Sequence, residues 1–283
     1  MANKKAVFHL YRYQLLPVNR YFTPELFGFQ SLDELIEKKN IVFSECLQGI
    51  SHLHSPRTEV NLKKIAHDGD FFVFKLNVNR SVHIETKNFQ KTHHDNWPSI
   101  IIVVWNHPEE QLFFIQDRPA AFRDTRAVSK LLFKTINPIL AQRQLVAEWG
   151  ALLEKRAFWD LVKLHKDRLR EVDFEIITPN MAWISRALNN DLKNIAKSTN
   201  STKIHLKLCS DTSSVLRIDE AEPLLHPLVD YVGEGGGTIS IKAVGIKKKQ
   251  YTVTQNRSIE VDESLLEKAA KEFIDFLKNR LHD

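Results

Sequence analysis

The sequence predicts an α+β fold in two domains, residues 1–142 and 143–283, each a mainly antiparallel β-sheet with packed helices. Three observations carry that prediction. Apolar runs in the first half come in neighbouring pairs joined by short polar links, as antiparallel hairpins do and parallel crossovers do not. Capped stretches with apolar residues every three or four positions interrupt those runs and read as helices. Polar Gln142-Arg143-Gln144 then separates the sheet-rich half from a second half that mixes strands and helices. Over 283 residues, a hydrophobic share of 43% with 10% aromatics is ample to build a core.

The elements follow in chain order. Ala6 to Leu16 reads as a strand closed by Pro17. Ser31 with Glu34 three residues on has the capping-box spacing that opens a helix. Phe71–Leu76 and Ser81–Thr86 are strand-like runs expected to pair as a hairpin, and Ile100–Trp105 with Leu112–Gln116 form a second. Asp124 or Thr125 caps a helix that Pro138 should limit. A strand near 145–153, a helix from Lys155 to about Arg170, a strand Phe174–Thr178 and a helix from Met181 to Lys197 come next. Lys203–Cys209 alternates as a half-exposed strand, Thr238–Val244 does likewise, and a helix from Asp262 carries the stripe Leu266, Phe273, Leu277 and Leu281.

Composition narrows the function classes. A net charge of +5 permits attraction to polyanions without demanding it. Two distant cysteines, Cys46 and Cys209, exclude a disulfide framework and fit a reducing compartment. The N-terminal run is broken by His9, Tyr11, Arg12 and Tyr13, unlike a signal peptide, and the apolar run 100–105 is far shorter than the ~20 residues of a membrane span. A cytoplasmic protein is expected.

Catalytic patterns are sparse. Gly233-Glu234-Gly235-Gly236-Gly237 leads into a strand, which gives neither the Walker nor the dinucleotide geometry, and reads as a mobile turn or hairpin connection. Asp70 at the start of one strand, with Glu85 and Lys87 on the next, has the spacing of a Mg²⁺-dependent nuclease, whose carboxylates must share a metal. That is the alternative function. His52-x-His54 and His93-His94-Asp95 sit beside loop signals without a supporting metal motif, and the two cysteines read as packing residues. No cofactor or metal is expected.

Basic stripes are the coherent signal. Arg126, Lys130 and Lys134 recur at four-residue spacing; Arg156, Lys163 and Lys166 fall on one side of the next expected helix. Arg186, Lys193 and Lys197 repeat the pattern beside the apolar stripe Met181, Ile184, Leu188, Leu192 and Ile195, and Lys247-Lys248-Lys249 follows the glycines. Several cationic faces can neutralise a phosphate backbone without reading sequence. Arg156, Lys163, Lys166, Arg186, Lys193, Lys197, Lys247, Lys248 and Lys249 are therefore the candidate DNA contacts.

The order of HDGDFFVFKLNVNRSVHIETK, WPSIIIVVWN and VDFEIITPNMAWISRALNNDLKNIAK resembles the exclusion proteins of the phage lambda RexA-like family and, more distantly, KwaB-like anti-phage proteins. The resemblance implies a two-domain, homodimeric binder of double-stranded DNA without sequence preference, acting in phage exclusion beside a membrane-protein partner. It assigns DNA contact to Lys193 and Lys197 of the matching helix. The RexA-like pattern does not keep the acid-x-Lys pair at Glu85 and Lys87, and FHLYRYQLLP has no counterpart in it. A third possibility is an interaction subunit for a membrane effector, whose basic faces are merely solvated.

Overall fold

The computed structural model describes all residues except 1–3, 22, 24–26, 56–57, 86, 155, 179–189, 253–255, 268–269 and 283. In chain order the elements are β1 (Lys5–Pro17), α1 (Leu32–Gly49), β2 (Val60–Asp68), β3 (Phe71–Val78), β4 (Val82–Glu85), β5 (Lys91–His94), β6 (Ser99–Trp105), β7 (Leu112–Asp117) and α2 (Thr125–Ala141). There follow β8 (Leu145–Ala151), α3 (Ala157–Leu164), β9 (Leu169–Ile177), α4 (Asn190–Ser198), β10 (Lys203–Cys209) and α5 (Leu225–Gly233). The chain continues through β11 (Gly237–Ala243), β12 (Gln250–Tyr251), β13 (Ser258–Asp262), α6 (Glu263–Glu267) and α7 (Ala270–His282). The α+β class holds, with antiparallel pairing throughout the named sheets.

A seven-stranded sheet runs β13-β1-β7-β6-β3-β2, with β8 also paired to β1. β1 is long enough to hold two partners along one edge: residues 5–9 pair with β13 and residues 11–17 with β8. Alternation sends Tyr11, Tyr13, Phe72, Phe74, Ile102, Val104, Phe113 and Ile115 into one core, which α1 and α2 cover with residues such as Phe43, Leu47, Val128 and Phe133. Phe8, Phe71, Val73, Val103 and Phe114 face the other way, where α7 seals them with Phe273, Ile274 and Leu277. Each such large side chain buried from water contributes roughly 1.5–3 kcal/mol.

The second sheet runs β10-β9-β11-β12, and among the described residues helices pack on one of its faces. Val172, Phe174, Ile176, Ile239 and Ile241 pack there with Phe158, Trp159 and Val162 of α3 and Leu228, Val229 and Val232 of α5, in the same continuous core as α1 and α2. Its other face keeps the alternate positions Glu171, Asp173 and Glu175 beside Lys203, His205 and Lys207. A boundary at 142/143 therefore does not follow the sheets, because β8 and β13 complete the first one.

The glycine-rich segment joins the two sheets and is not a mobile turn. Gly235, Gly236 and Gly237 are buried. A Cβ on Gly236 would meet the Tyr231 ring at 2.2 Å, and one on Gly237 would meet the Glu175 carbonyl oxygen at 1.9 Å. Gly235, at φ +85°, brings its backbone against Arg12 and Gly150. Glycine is needed because two backbones cross here at contact distance.

Several expected elements differ. Phe71–Val78 pairs with β2 and β6, while β4 pairs with β5 as a separate two-stranded sheet. β2 escapes notice in the sequence because it is an exposed edge strand, with a bulge between Lys64 and Ala66. Helix α2 runs through Pro138, which lies in its last turn and forfeits one i→i−4 bond. The expected helix 155–170 ends at Leu164, and Leu169 already opens β9. In α4, Ala196 is buried and Ile195 is 52% exposed, so the apolar stripe is turned by one position from the expected one. Cys209 is exposed rather than packed. Among the described residues no helix is long and apolar enough to cross a membrane.

Candidate nucleic-acid interface

Helix α2 begins at Asp124, whose carboxylate accepts from the Ala127 N–H at 2.7 Å and caps the first turn. Val128, Leu132, Phe133, Ile136 and Leu140 anchor it on the large sheet. That anchorage leaves Arg126, Lys130 and Lys134 in file on a free side; Lys130 and Lys134 are exposed, and Arg126 is half-buried. None of the three pairs with a described carboxylate, and the Arg126 guanidinium stands 5.1 Å from the Tyr251 ring centroid.

The row borders a groove made of three bays. The first, about 700 Å³, is shared by Arg123, Arg126, Tyr251 and the foot of β1 at His9 and Tyr11. Arg126, Tyr11 and Tyr251 also line the second, about 300 Å³, with Lys130, Glu148 and Lys203. Lys130, Glu148 and Trp149 carry on into the third, about 710 Å³, with Lys134 and Thr202. Residues common to successive bays make the groove continuous beside α2.

Across from the row, Lys249 lines the first bay, and Glu148 of β8 with Glu175 and Lys203 lines the second, where a face of the second sheet is charged but internally neutralised. Lys203 Nζ lies 2.8 Å from Glu148 and 3.3 Å from Glu175. Lys207 Nζ is 2.9 Å from Glu171, and Lys249 Nζ is 2.6 Å from Glu171 and 3.0 Å from Asp173. Donation to Glu171 and then to Asp173 raises the Lys249 ammonium, and the bond accepted from Lys249 lowers the Glu171 carboxyl. Along the groove, the α2 cations are thus the ones without a described carboxylate partner.

A hydrogen-bonded chain closes the first bay. His9 Nδ1 and the Tyr11 hydroxyl both meet Thr125 Oγ1, at 2.9 and 2.8 Å. Asn256 Nδ2 donates to the Tyr11 hydroxyl at 3.3 Å, while Asn256 Oδ1 is shielded from solvent with no partner among the described residues. Burial, opposed by the Thr125 hydrogen bond, pushes the Tyr11 phenol up, so it stays a neutral hydroxyl.

The residues predicted as DNA contacts do not converge. Arg156 and Lys163 belong to the α3 region, which packs on the helix-covered face, and Lys166 sits in the turn after α3. Lys163 pairs with Glu220 at 3.7 Å, and Arg156 shares its cavity with Glu154, Glu220 and Glu234. Lys247 and Lys248 are exposed in the β11–β12 turn, whereas Lys249 is held by its two carboxylates. Lys193 and Lys197 lie on α4, one turn apart and with no described ion pair; Arg186 lies outside the described residues. Helix α4 leads into Thr202, a wall residue of the third bay.

The nuclease residues are also apart. Asp70 is in the turn before β3 of the large sheet, whereas Glu85 ends β4 in the separate two-stranded sheet and Lys87 follows it. Among the described residues no three His, Cys, Asp or Glu side chains converge to hold a metal ion. His9, Tyr11, Tyr251 and Asn256 are the groove residues that sequence patterns missed. Only the i, i+2 placement of His9 and Tyr11 on one strand face offered a signal. Comparison of the chain with protein-family models, curated proteins and solved structures yields no match.

Proposed function

We propose that this protein binds double-stranded DNA through its phosphate backbone, without sequence preference, as the sensor or clamp of an anti-phage or phage-exclusion system. The observation that carries the DNA part is the file Arg126, Lys130 and Lys134, without a carboxylate partner among the described residues and set along a continuous groove. Two four-residue steps cover about 12 Å of helix, a length of duplex that carries on the order of seven phosphates. Arg123 extends the row at its start, and Lys193 and Lys197 stand on α4, which leads into the third bay at Thr202.

The exclusion context rests on the resemblance to RexA-like proteins, which also supplies a homodimer and a membrane-protein partner. Two copies would present two such grooves to one duplex. The test is a salt-titrated shift assay on two unrelated duplexes of equal length. With roughly four groove cations engaged, log K should fall against log salt with a slope of about −3 to −4, equal for both duplexes. A flat salt response sinks the proposal, and a strong preference for one duplex removes its sequence-independent part.

A further inference from the structure

We infer that the β4–β5 hairpin is an arm that drives the Phe89 ring between base pairs of the bound duplex and kinks it where the α2 row begins. This wedge rests on the DNA-binding function above and deepens it, and the test below separates the two.

The arm continues the ladder of the large sheet. β3 and β6 pair from Phe71–Trp105 to Asn77–Ser99, the Val78 and Arg80 N–H groups donate to the Pro98 and Asn96 carbonyls, and β4 and β5 pair from Val82–His94 to Glu85–Lys91, all in one unshifted register. The ladder thus leaves the body as a two-stranded ribbon, and the five steps from Arg80 to Glu85 extend about 17 Å. Its root is fixed on the loop that opens α2. Arg80 Nε and Nη2 both donate to the Ala121 carbonyl, at 2.9 and 2.7 Å, and Arg118 Nη1 donates to the Ser99 carbonyl at 2.8 Å. Both strands of the ribbon are therefore tied to residues 118–121, and Arg123, which extends the cationic row, follows in the same loop. A duplex that follows the row to Arg123 reaches the root of the arm.

The tip carries what a wedge needs. Phe89 is 85% exposed, and its φ of +60° is one that Gly or Asn adopts most easily. Neither packing nor backbone preference favours an aromatic ring there, so its use lies outside the fold. Lys87 and Lys91 flank it, both exposed and neither with a described ion pair, and residues 86–94 contain no Asp or Glu. An apolar ring between two cations matches a base step, whose apolar stack lies between two phosphate strands. Insertion unstacks the step, and the lysines on the flanking phosphates offset that cost. Val82 and Ile84 are exposed as well, but they lie back along the strand, so a single ring leads. A lone ring suits a base step better than a lipid surface, where anchorage grows with the apolar area buried.

The test uses the full chain and a short duplex labelled at its two ends for energy transfer, with and without one central mismatched pair, which is already easy to unstack. Binding should raise the transfer by an amount that corresponds to a kink of at least about 20°, and the mismatched duplex should bind on the order of tenfold more tightly. Phe89→Ala should abolish the kink and the preference while leaving the paired duplex within about threefold, and Phe89→Trp should keep both. Because the ring is outside the core, the variants should fold, which an unchanged melting temperature checks. A bound duplex that stays straight, or a kink that survives Phe89→Ala, overturns the wedge while DNA binding stands. Retention of neither duplex defeats the DNA reading and the wedge with it. Vesicles of phosphatidylglycerol and phosphatidylcholine that hold the wild type and not Phe89→Ala would in that case assign the tip to lipid.

Discussion

Helix α2 and the charged face of the second sheet both carry cations and both contribute to the groove, but those cations are in different electrostatic states. On the sheet, Lys203, Lys207 and Lys249 each contact one or two carboxylates at 2.6–3.3 Å, so the face is close to neutral as a unit. On α2, Arg126, Lys130 and Lys134 meet no described carboxylate. A neighbouring strand offers each side chain residues opposite and diagonal to it, and the acidic positions of β9 neutralise the lysines of β10 through diagonal pairs. A lone exposed helix face has no such neighbour. Charge available to a polyanion is therefore decided by pairing, not by the number of basic residues.

The largest effect expected from this contrast is on α2. Arg126→Glu, Lys130→Glu and Lys134→Glu together should lower duplex affinity by about 100-fold at low salt and flatten the salt slope. The side chains are outside the core and Glu is a good helix former, so thermal unfolding should shift little. Retention of DNA by this variant, with its fold shown intact, would mean that the groove is not the interface.

The sheet should behave in the opposite way. Lys249→Met ought to change duplex affinity by less than about threefold, because its charge is already spent on Glu171 and Asp173. Its mark should be on stability against pH. The Glu171 carboxyl is lowered, so its stabilisation is full above the unfolded carboxyl pKa and is lost as pH falls through the folded value. The Lys249 ammonium is raised, so its contribution is present below the unfolded lysine pKa and lost as pH rises through the folded one. Wild-type melting temperature should therefore exceed that of the variant between about pH 5 and 10, by roughly 1–2 °C, with the gap closing in acid. A gap that persists at pH 2 would show that Lys249 acts by packing instead.

What the sequence disclosed follows the same division between local and long-range causes. Strands with clean alternation, such as Lys203–Cys209, and the capped starts at Ser31 and Asp124 are local facts and were legible. Pairing partners were not: β3 lies between β2 and β6 because of sheet topology, which separated Asp70 from Glu85. The α3 stripe was misjudged because amphipathic spacing continued past Leu164 into residues that form a turn and β9. The α2 row was visible, but its importance depends on which carboxylates come near, and that is settled by tertiary contacts. The first bay was the least legible, since His9, Thr125, Tyr251 and Asn256 come from four distant segments.

The smallest effect concerns the two lysines to which the family resemblance points. Lys193 and Lys197 are one turn apart on α4, and Leu192 and Ala196 fix that helix on the core. Arg20 ties down its end by donating to the Ala196 carbonyl at 3.2 Å, so both lysines are carried on an anchored element. They share the α2 property of lacking a described ion pair, but they border the groove only through the turn leading to Thr202. Replacing both with Glu should weaken duplex binding by about three- to tenfold, less than the α2 triple variant. The combined five-residue variant discriminates further. If both sets touch one continuous stretch of phosphates, the losses should add in free energy, because the sites are separate and share no partner. If the α4 double change alone abolishes binding while the α2 triple change does not, the unpaired row on α2 is an ordinary solvated face and the interface centres on α4.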